Sequence, residues 1–169
     1  IPLNQMFNFP GFFAQMGSGR SLQSFKTVQN YQDWESRMKK AVVLFDQGIA
    51  NMREGVERGV VQPRVVMEKV IPQLDALIVE SAEDSLFWPP IANFPEDFSK
   101  EDKDKLTASY RETIESLVIP GYTRLRDFVR DEYLPHTRET VGWSALPDGE
   151  DWYNFQIASQ TTTDMTAKE

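Results

Sequence analysis

An all-α architecture is what the sequence predicts, and three observations carry that expectation. Apolar residues recur at steps of three and four over long stretches, the spacing of a helix face. No stretch of useful length alternates apolar and polar residues as a half-buried strand would. Proline and glycine fall mainly at the edges of the periodic stretches, where helices start and stop. The expected architecture is a set of long, kinked helices packed as a bundle-like fragment of a larger helical protein, with residues 1–169 forming one helical region.

Residues 1–26 read as an irregular aromatic lead-in. Phe7, Phe9, Phe12 and Phe13 surround Pro10-Gly11, and Gly17-Ser18-Gly19 follows. Each Phe gains roughly 1.5–3 kcal/mol on burial, so the segment is expected to lie along a helical body. Residues 27–79 hold two helices. Thr27 is the expected N-cap of the first, whose face carries Val28, Tyr31, Trp34, Met38, Val42, Phe45, Ile49, Met52 and Val56. Gly48 and Gly55 weaken it by roughly 1 kcal/mol each relative to Ala, and Gly59 is a natural stop. Pro63 suits the first turn of the second helix, and Pro72 should kink it.

Residues 80–98 form a connector in which Phe87-Trp88-Pro89-Pro90 and Phe94-Pro95 mix large apolar groups with residues that block regular hydrogen bonding. Ser99, with Asp102 three residues on, opens a long helix over 99–135 that carries Leu106, Tyr110, Ile114, Leu117, Leu125 and Phe128. Pro120-Gly121 marks a kink or break, and Pro135 the end. From Ser99 to Leu134 a straight helix would span about 54 Å. A compact globule of this size is about 40 Å across. Such a helix either bends at Pro120 or packs on something larger. Residues 136–169 hold the turn Pro147-Asp148-Gly149, a short helix over about 150–159, and a threonine-rich end.

Composition excludes several function classes. Twenty-six acids against eighteen bases give a net charge of −8, and no long basic run exists, so no nucleic-acid partner is expected. The absence of cysteine removes disulfides, thiolate zinc sites and cysteine nucleophiles. No apolar stretch approaches the roughly 20 residues that span a bilayer. The chain starts at Ile1, and Thr166 with Glu169 forms a capping-box pattern with no helix after it; both ends point to a piece of a longer protein.

Candidate chemistry is sparse. His136 is the single histidine, so two imidazoles cannot meet on one zinc within one chain. Its place after Leu134-Pro135 suits a helix-dipole partner. Glu112 with Glu115, and Asp127 with Asp131, stand at helical spacing, as acid pairs for metal binding or acid–base work would. They alternate with Arg111, Arg124, Arg126 and Arg130, the pattern of a solvated, ion-paired surface. No glycine-rich phosphate loop is present. The segment Gly142-Trp143-Ser144-Ala145-Leu146-Pro147-Asp148-Gly149, leading into Trp152-Tyr153, leaves two readings: a pocket lined by aromatic rings with polar handles, or an aromatic plug. Thr161-Thr162-Thr163-Asp164 reads as backbone-capping hydroxyls or as a strip facing a ligand.

Several strings in order resemble a known family. They include Ile1-Pro2-Leu3-Asn4-Gln5-Met6, Phe25-Lys26-Thr27-Val28 with Tyr31, and Asn51-Met52-Arg53-Glu54-Gly55-Val56-Glu57-Arg58-Gly59-Val60-Val61. Pro63-Arg64-Val65-Val66-Met67-Glu68-Lys69-Val70, Arg124-Leu125-Arg126-Asp127-Phe128 and Glu132-Tyr133-Leu134-Pro135 follow. The last are Ser144-Ala145-Leu146-Pro147-Asp148-Gly149 and Thr161-Thr162-Thr163-Asp164-Met165-Thr166. Together they resemble the bacterial domain of unknown function family 885 nearly end to end.

The resemblance implies a longer, mostly helical, zincin-like metallopeptidase with a His-Glu motif followed by Pro-Gly-His-His, often with a secretion or lipoprotein signal. It implies a periplasmic or envelope-anchored location, a peptide or amide substrate and zinc in the full-length protein. No position here matches the metal motif, so no catalytic residue, metal ligand or cofactor is assigned to this chain. The expectation is a scaffold and substrate-cleft fragment, inactive alone, packed against the missing C-terminal part, with Trp152 and Tyr153 as candidates for touching substrate. The rival expectation is a non-enzymatic helical binding module of the cell envelope.

Overall fold

The computed structural model describes residues 3–20, 22–163 and 165–168. It is an all-α, bundle-like fold. Among the described residues the only β pairing is two isolated bridges, Leu3 with Asn8 and Pro63 with Arg138. The Thr166–Glu169 capping pattern reaches Glu169, which lies outside the described residues, as do Ile1, Pro2 and Asp164.

The lead-in is irregular only in part, over the described residues of 3–8 and 18–26. Helix α1 spans Phe9–Gly17. Asn8 caps it by accepting from Gly11 N at 3.2 Å. Pro10 sits in the first turn, where its missing N–H is no loss. Only part of the aromatic cluster is buried: Phe13 joins the core and Phe9 packs partly against it, while Phe7 and Phe12 face solvent.

Helix α2, Val28–Glu57, is the spine. Thr27 Oγ1 accepts from Asn30 N, and the Asn30 side chain accepts in return from Thr27 N, a reciprocal cap. Tyr31, Trp34, Met38, Ala41, Val42, Phe45 and Ile49 are buried along one stripe. The helix ends in a Schellman motif: Val60 N donates to Gly55 O at 2.8 Å and Gly59 N to Val56 O at 3.2 Å. Gly59 takes φ +70°, which glycine adopts without a Cβ penalty.

Helix α3, Arg64–Asp75, follows Pro63 and packs on the later helices. It stops at Asp75 instead of running on bent to residue 79. Pro72 offers no N–H and its ring crowds the preceding turn, so the helix closes one turn later. The connector holds a 3₁₀ turn, Ala82–Asp84, and a single helical turn α4, Pro89–Ala92.

From Lys100 the chain stays helical to His136. Helix α5 (Lys100–Thr113) passes into a π-helical turn at Ile114–Val118, then α6 (Ile119–Asp127), a second π-helical segment at Phe128–Tyr133, and a closing 3₁₀ turn at Leu134–His136. Pro120 does not break the run. Each π segment lies just ahead of a proline, Pro120 or Pro135, whose missing N–H deprives the preceding turn of a donor. The wider bonding appears as Ile119 N–H to Ile114 O and Leu134 N–H to Val129 O, both five residues back.

Three buried tyrosines strap separate segments to this core through backbone carbonyls. Tyr31 Oη donates to Pro90 O at 3.0 Å, Tyr110 Oη to Tyr31 O at 2.8 Å, and Tyr122 Oη to Pro10 O at 2.7 Å. A buried phenol must find such a partner or carry a desolvation penalty.

One carboxylate is buried between α2 and α5. Glu35, 9% exposed, accepts from Lys39 Nζ at 2.6 Å and from Thr113 Oγ1 at 3.1 Å. Burial pushes its pKa up, but hydrogen bonds from Lys39, Ser109 and Thr113, with the Lys39 charge, outweigh burial and hold it below its ordinary value of 4.5. A group depressed on folding stabilises the fold above its unfolded pKa, and that contribution is lost as pH falls through the folded value. Glu35→Gln is therefore expected to lower stability at pH 7 and to flatten its decline on acidification below about pH 4.5. Urea unfolding at pH 7 and pH 3 checks this; an unchanged pH dependence would contradict it.

Candidate functional site

After the α2 stop, Val60, Val61 and Gln62 run alongside the segment beyond the long helical run. Arg138 N donates to Gln62 O at 3.2 Å and Arg64 N to Arg138 O at 2.8 Å, a short parallel pairing. Gln62 N donates to the Tyr133 hydroxyl at 2.9 Å. The Arg138 guanidinium gathers the loop around itself: Nε donates to Val61 O at 3.0 Å, and Nη1 to Thr140 O at 2.5 Å and Gly142 O at 2.8 Å.

Those bonds aim the Trp143 turn. A 3₁₀ turn spans Trp143–Ala145, and Leu146 N closes on Trp143 O at 2.9 Å. Asp148 takes φ +54°, an allowed but sparse conformation for this residue type. Helix α7 then runs Gly149–Thr161. Gly149 is dictated by space: an added Cβ would lie 1.9 Å from Trp143 O.

Between these walls lies a cavity of about 240 Å³. Val60, Val61, Leu146 and Pro147 give it apolar surface, Trp143 and Trp152 supply indole rings, and Gln62, Tyr133 and Arg138 are its polar members. Tyr133 is buried; burial pushes its pKa up, against the opposing pull of the Gln62 N–H and the Arg138 charge, so the phenol keeps its proton at neutral pH.

The structure brings Trp152 to this cleft at 56% exposure, with Trp143 beside it. Tyr153, 49% exposed, lies outside the lining. The threonine run caps α7: Thr161 Oγ1 donates to Ile157 O at 2.8 Å, and Thr163 N donates to Thr161 Oγ1 at 3.4 Å. Three of the four paired acids sit in ion pairs, Asp127 with Arg126 and Arg130, Asp131 with Arg130, and Glu115 with Arg111; Glu112 has no ion pair among the described residues. His136 is exposed in the closing turn of the long helical run. Tyr133, Arg138 and Val60–Gln62 carried no local signal, because their roles arise from contacts more than 70 residues apart, such as Arg138 with Val61.

The described residues do not fit a zinc ion. Among them no group of three or more His, Cys, Asp or Glu side chains could hold a metal. No helix among them is long and apolar enough to cross a membrane.

Among curated proteins, none matches the chain significantly. Among solved structures, the chain is similar to a candidate lipoprotein from Colwellia psychrerythraea, with a TM-score of 0.82 at 18% identity. The match covers 97% of this chain and 28% of that one, so the chain spans little more than a quarter of that protein's length. At this identity the likeness establishes the fold. The family model described as "Bacterial protein of unknown function (DUF885)" matches residues 1–169, and the chain belongs to that family.

Proposed function

We propose that this chain is the scaffold and substrate-cleft portion of a zinc-dependent, peptidase-like hydrolase whose metal and general base lie elsewhere in a longer polypeptide. The observation that carries the reading is the cleft itself: two partly exposed indoles over apolar walls, with a guanidinium and a phenol among the polar members. Such a mixture of apolar lining with few polar groups is what peptide-sized ligands require. Bound zinc would supply an activated water in the full-length protein. The residues of this chain would bind and orient a peptide or amide and exclude water. The family resemblance and the partial coverage of a longer solved relative support the assignment of the chemistry to another part.

The test uses the full-length protein. Trp152→Ala is expected to raise KM for a peptide substrate roughly tenfold with kcat little changed, the signature of lost uniform binding. An unchanged KM would remove Trp152 from the substrate path. Tyr153→Ala is the companion; standing outside the lining, it is expected to have the smaller effect.

A second reading has one observation in its favour. On α7, Trp152, Tyr153 and Phe155 stand 56%, 49% and 67% exposed, an apolar surface of the kind that marks an interaction site. A non-enzymatic binding module of the cell envelope would use it to dock a partner. Full-length protein that binds peptides at the cleft but hydrolyses none, with zinc supplied, favours the module.

A further inference from the structure

Resting on the substrate-cleft reading, we propose that the cavity beneath Trp143 and Trp152 binds the C-terminal residue of a peptide, taking its free carboxylate on Arg138 and Tyr133 and its bulky apolar side chain between the indoles.

Charge and burial together single out Arg138: Arg20 and Arg37 also lack a carboxylate partner, but both are exposed, whereas Arg138 is half-buried. Arg53, Arg58, Arg64, Arg111, Arg124, Arg126 and Arg130 each pair with a carboxylate. Arg138 has no carboxylate partner among the described residues; its Nε and Nη1 are committed to backbone carbonyls, and no acceptor there takes Nη2. In a chain of net charge −8, a half-buried guanidinium held rigidly by three carbonyls and left without a counter-ion is complementary to an anion. Tyr133 adds a second donor. Its oxygen accepts from Gln62 N, while its own O–H has no acceptor among the described residues.

Size limits the occupant. The cavity, about 240 Å³, lies below the roughly 300–1,000 Å³ of sites that engulf whole drug-sized ligands. It suits one residue of a chain whose remainder runs out over the exposed indoles. Trp143, Trp152, Leu146 and Pro147 favour an aromatic or branched side chain over a polar one.

The experiment titrates the 169-residue chain with N-acetylphenylalanine and with N-acetylphenylalaninamide, following the indole N–H resonances of Trp143 and Trp152. The acid is expected to shift both resonances and to bind at least about tenfold tighter than the amide, since the amide forfeits the charge-assisted bonds. Arg138→Lys keeps the charge without the planar fork and is expected to shrink that preference. Trp152→Ala, at an exposed position, keeps the fold and is expected to weaken acid and amide alike.

Equal binding of acid and amide, both shifting the indoles, would overturn the carboxylate assignment and leave the cleft reading standing. Absence of any indole shift would overturn the proposal as well. The KM of Trp152→Ala in the full-length protein then judges the cleft reading separately.

Discussion

Trp34→Ala is expected to lower the unfolding free energy by about 3–5 kcal/mol, the range for truncating a large buried aromatic residue. For a chain of this length that corresponds to a fall in Tm on the order of 10 °C. Trp34 is 0% exposed. It stacks on Phe13 of α1 with ring centroids 4.8 Å apart and meets Phe25 edge-on at 6.3 Å. The indole is therefore where the aromatic lead-in is fastened to the α2 spine, and its loss leaves a cavity that α1 cannot fill by itself. Its Nε1 has no hydrogen-bond partner among the described residues. Trp34→Phe removes that unsatisfied donor along with some volume, so its expected cost is much smaller. Urea unfolding of both variants is the check. A loss under 1 kcal/mol for Trp34→Ala would show that the lead-in contributes little to the core.

Gly149→Ala has the second large expected effect, and it is local. The new Cβ cannot coexist with Trp143 O at 1.9 Å, so the Trp143–Ser144 backbone or the start of α7 must move. Helix α7 is docked chiefly on the Trp143–Ala145 turn and buries only Gly149 itself. Little else opposes its release. The expected result is loss of amide exchange protection over residues 149–161, with the α2–α6 core still protected, as sub-global unfolding units behave. Binding at the Trp143–Trp152 cleft is expected to disappear with it. Hydrogen exchange resolved by residue decides the matter; unchanged protection in α7 would mean that the turn accommodates the methyl group.

The long helices were legible because burial imposes a period. The face running from Tyr31 to Ile49 reads directly as the buried stripe of α2, and Thr27 and Gly59 mark its ends by local bonding that neighbours in sequence supply. The same local logic missed α1, a helix with Pro10 in its first turn inside a lead-in that reads as irregular. In the first turn, after a capping Asn8, that proline is favourable. At Pro120 the expected kink or break is not a break: packing of the long run against α2 keeps it helical, and the wider π turn takes up the missing donor.

The cleft was half legible. Trp143 and Trp152 lie close in sequence, so an aromatic turn could be recognised there. Arg138 and Tyr133 could not, since an arginine that will lack a counter-ion looks the same in a sequence as one that will be paired.

Sequence by itself determined the all-α class, the family and the spine helix with its caps, because each depends on residue type and short spacing. Only the tertiary structure decided which rings share a cavity, that Tyr153 stands outside it, and that Arg138 faces it without a carboxylate. Those outcomes depend on where segments more than 70 residues apart, such as Val61 and Arg138, come to rest, and helix packing, not local propensity, sets that distance.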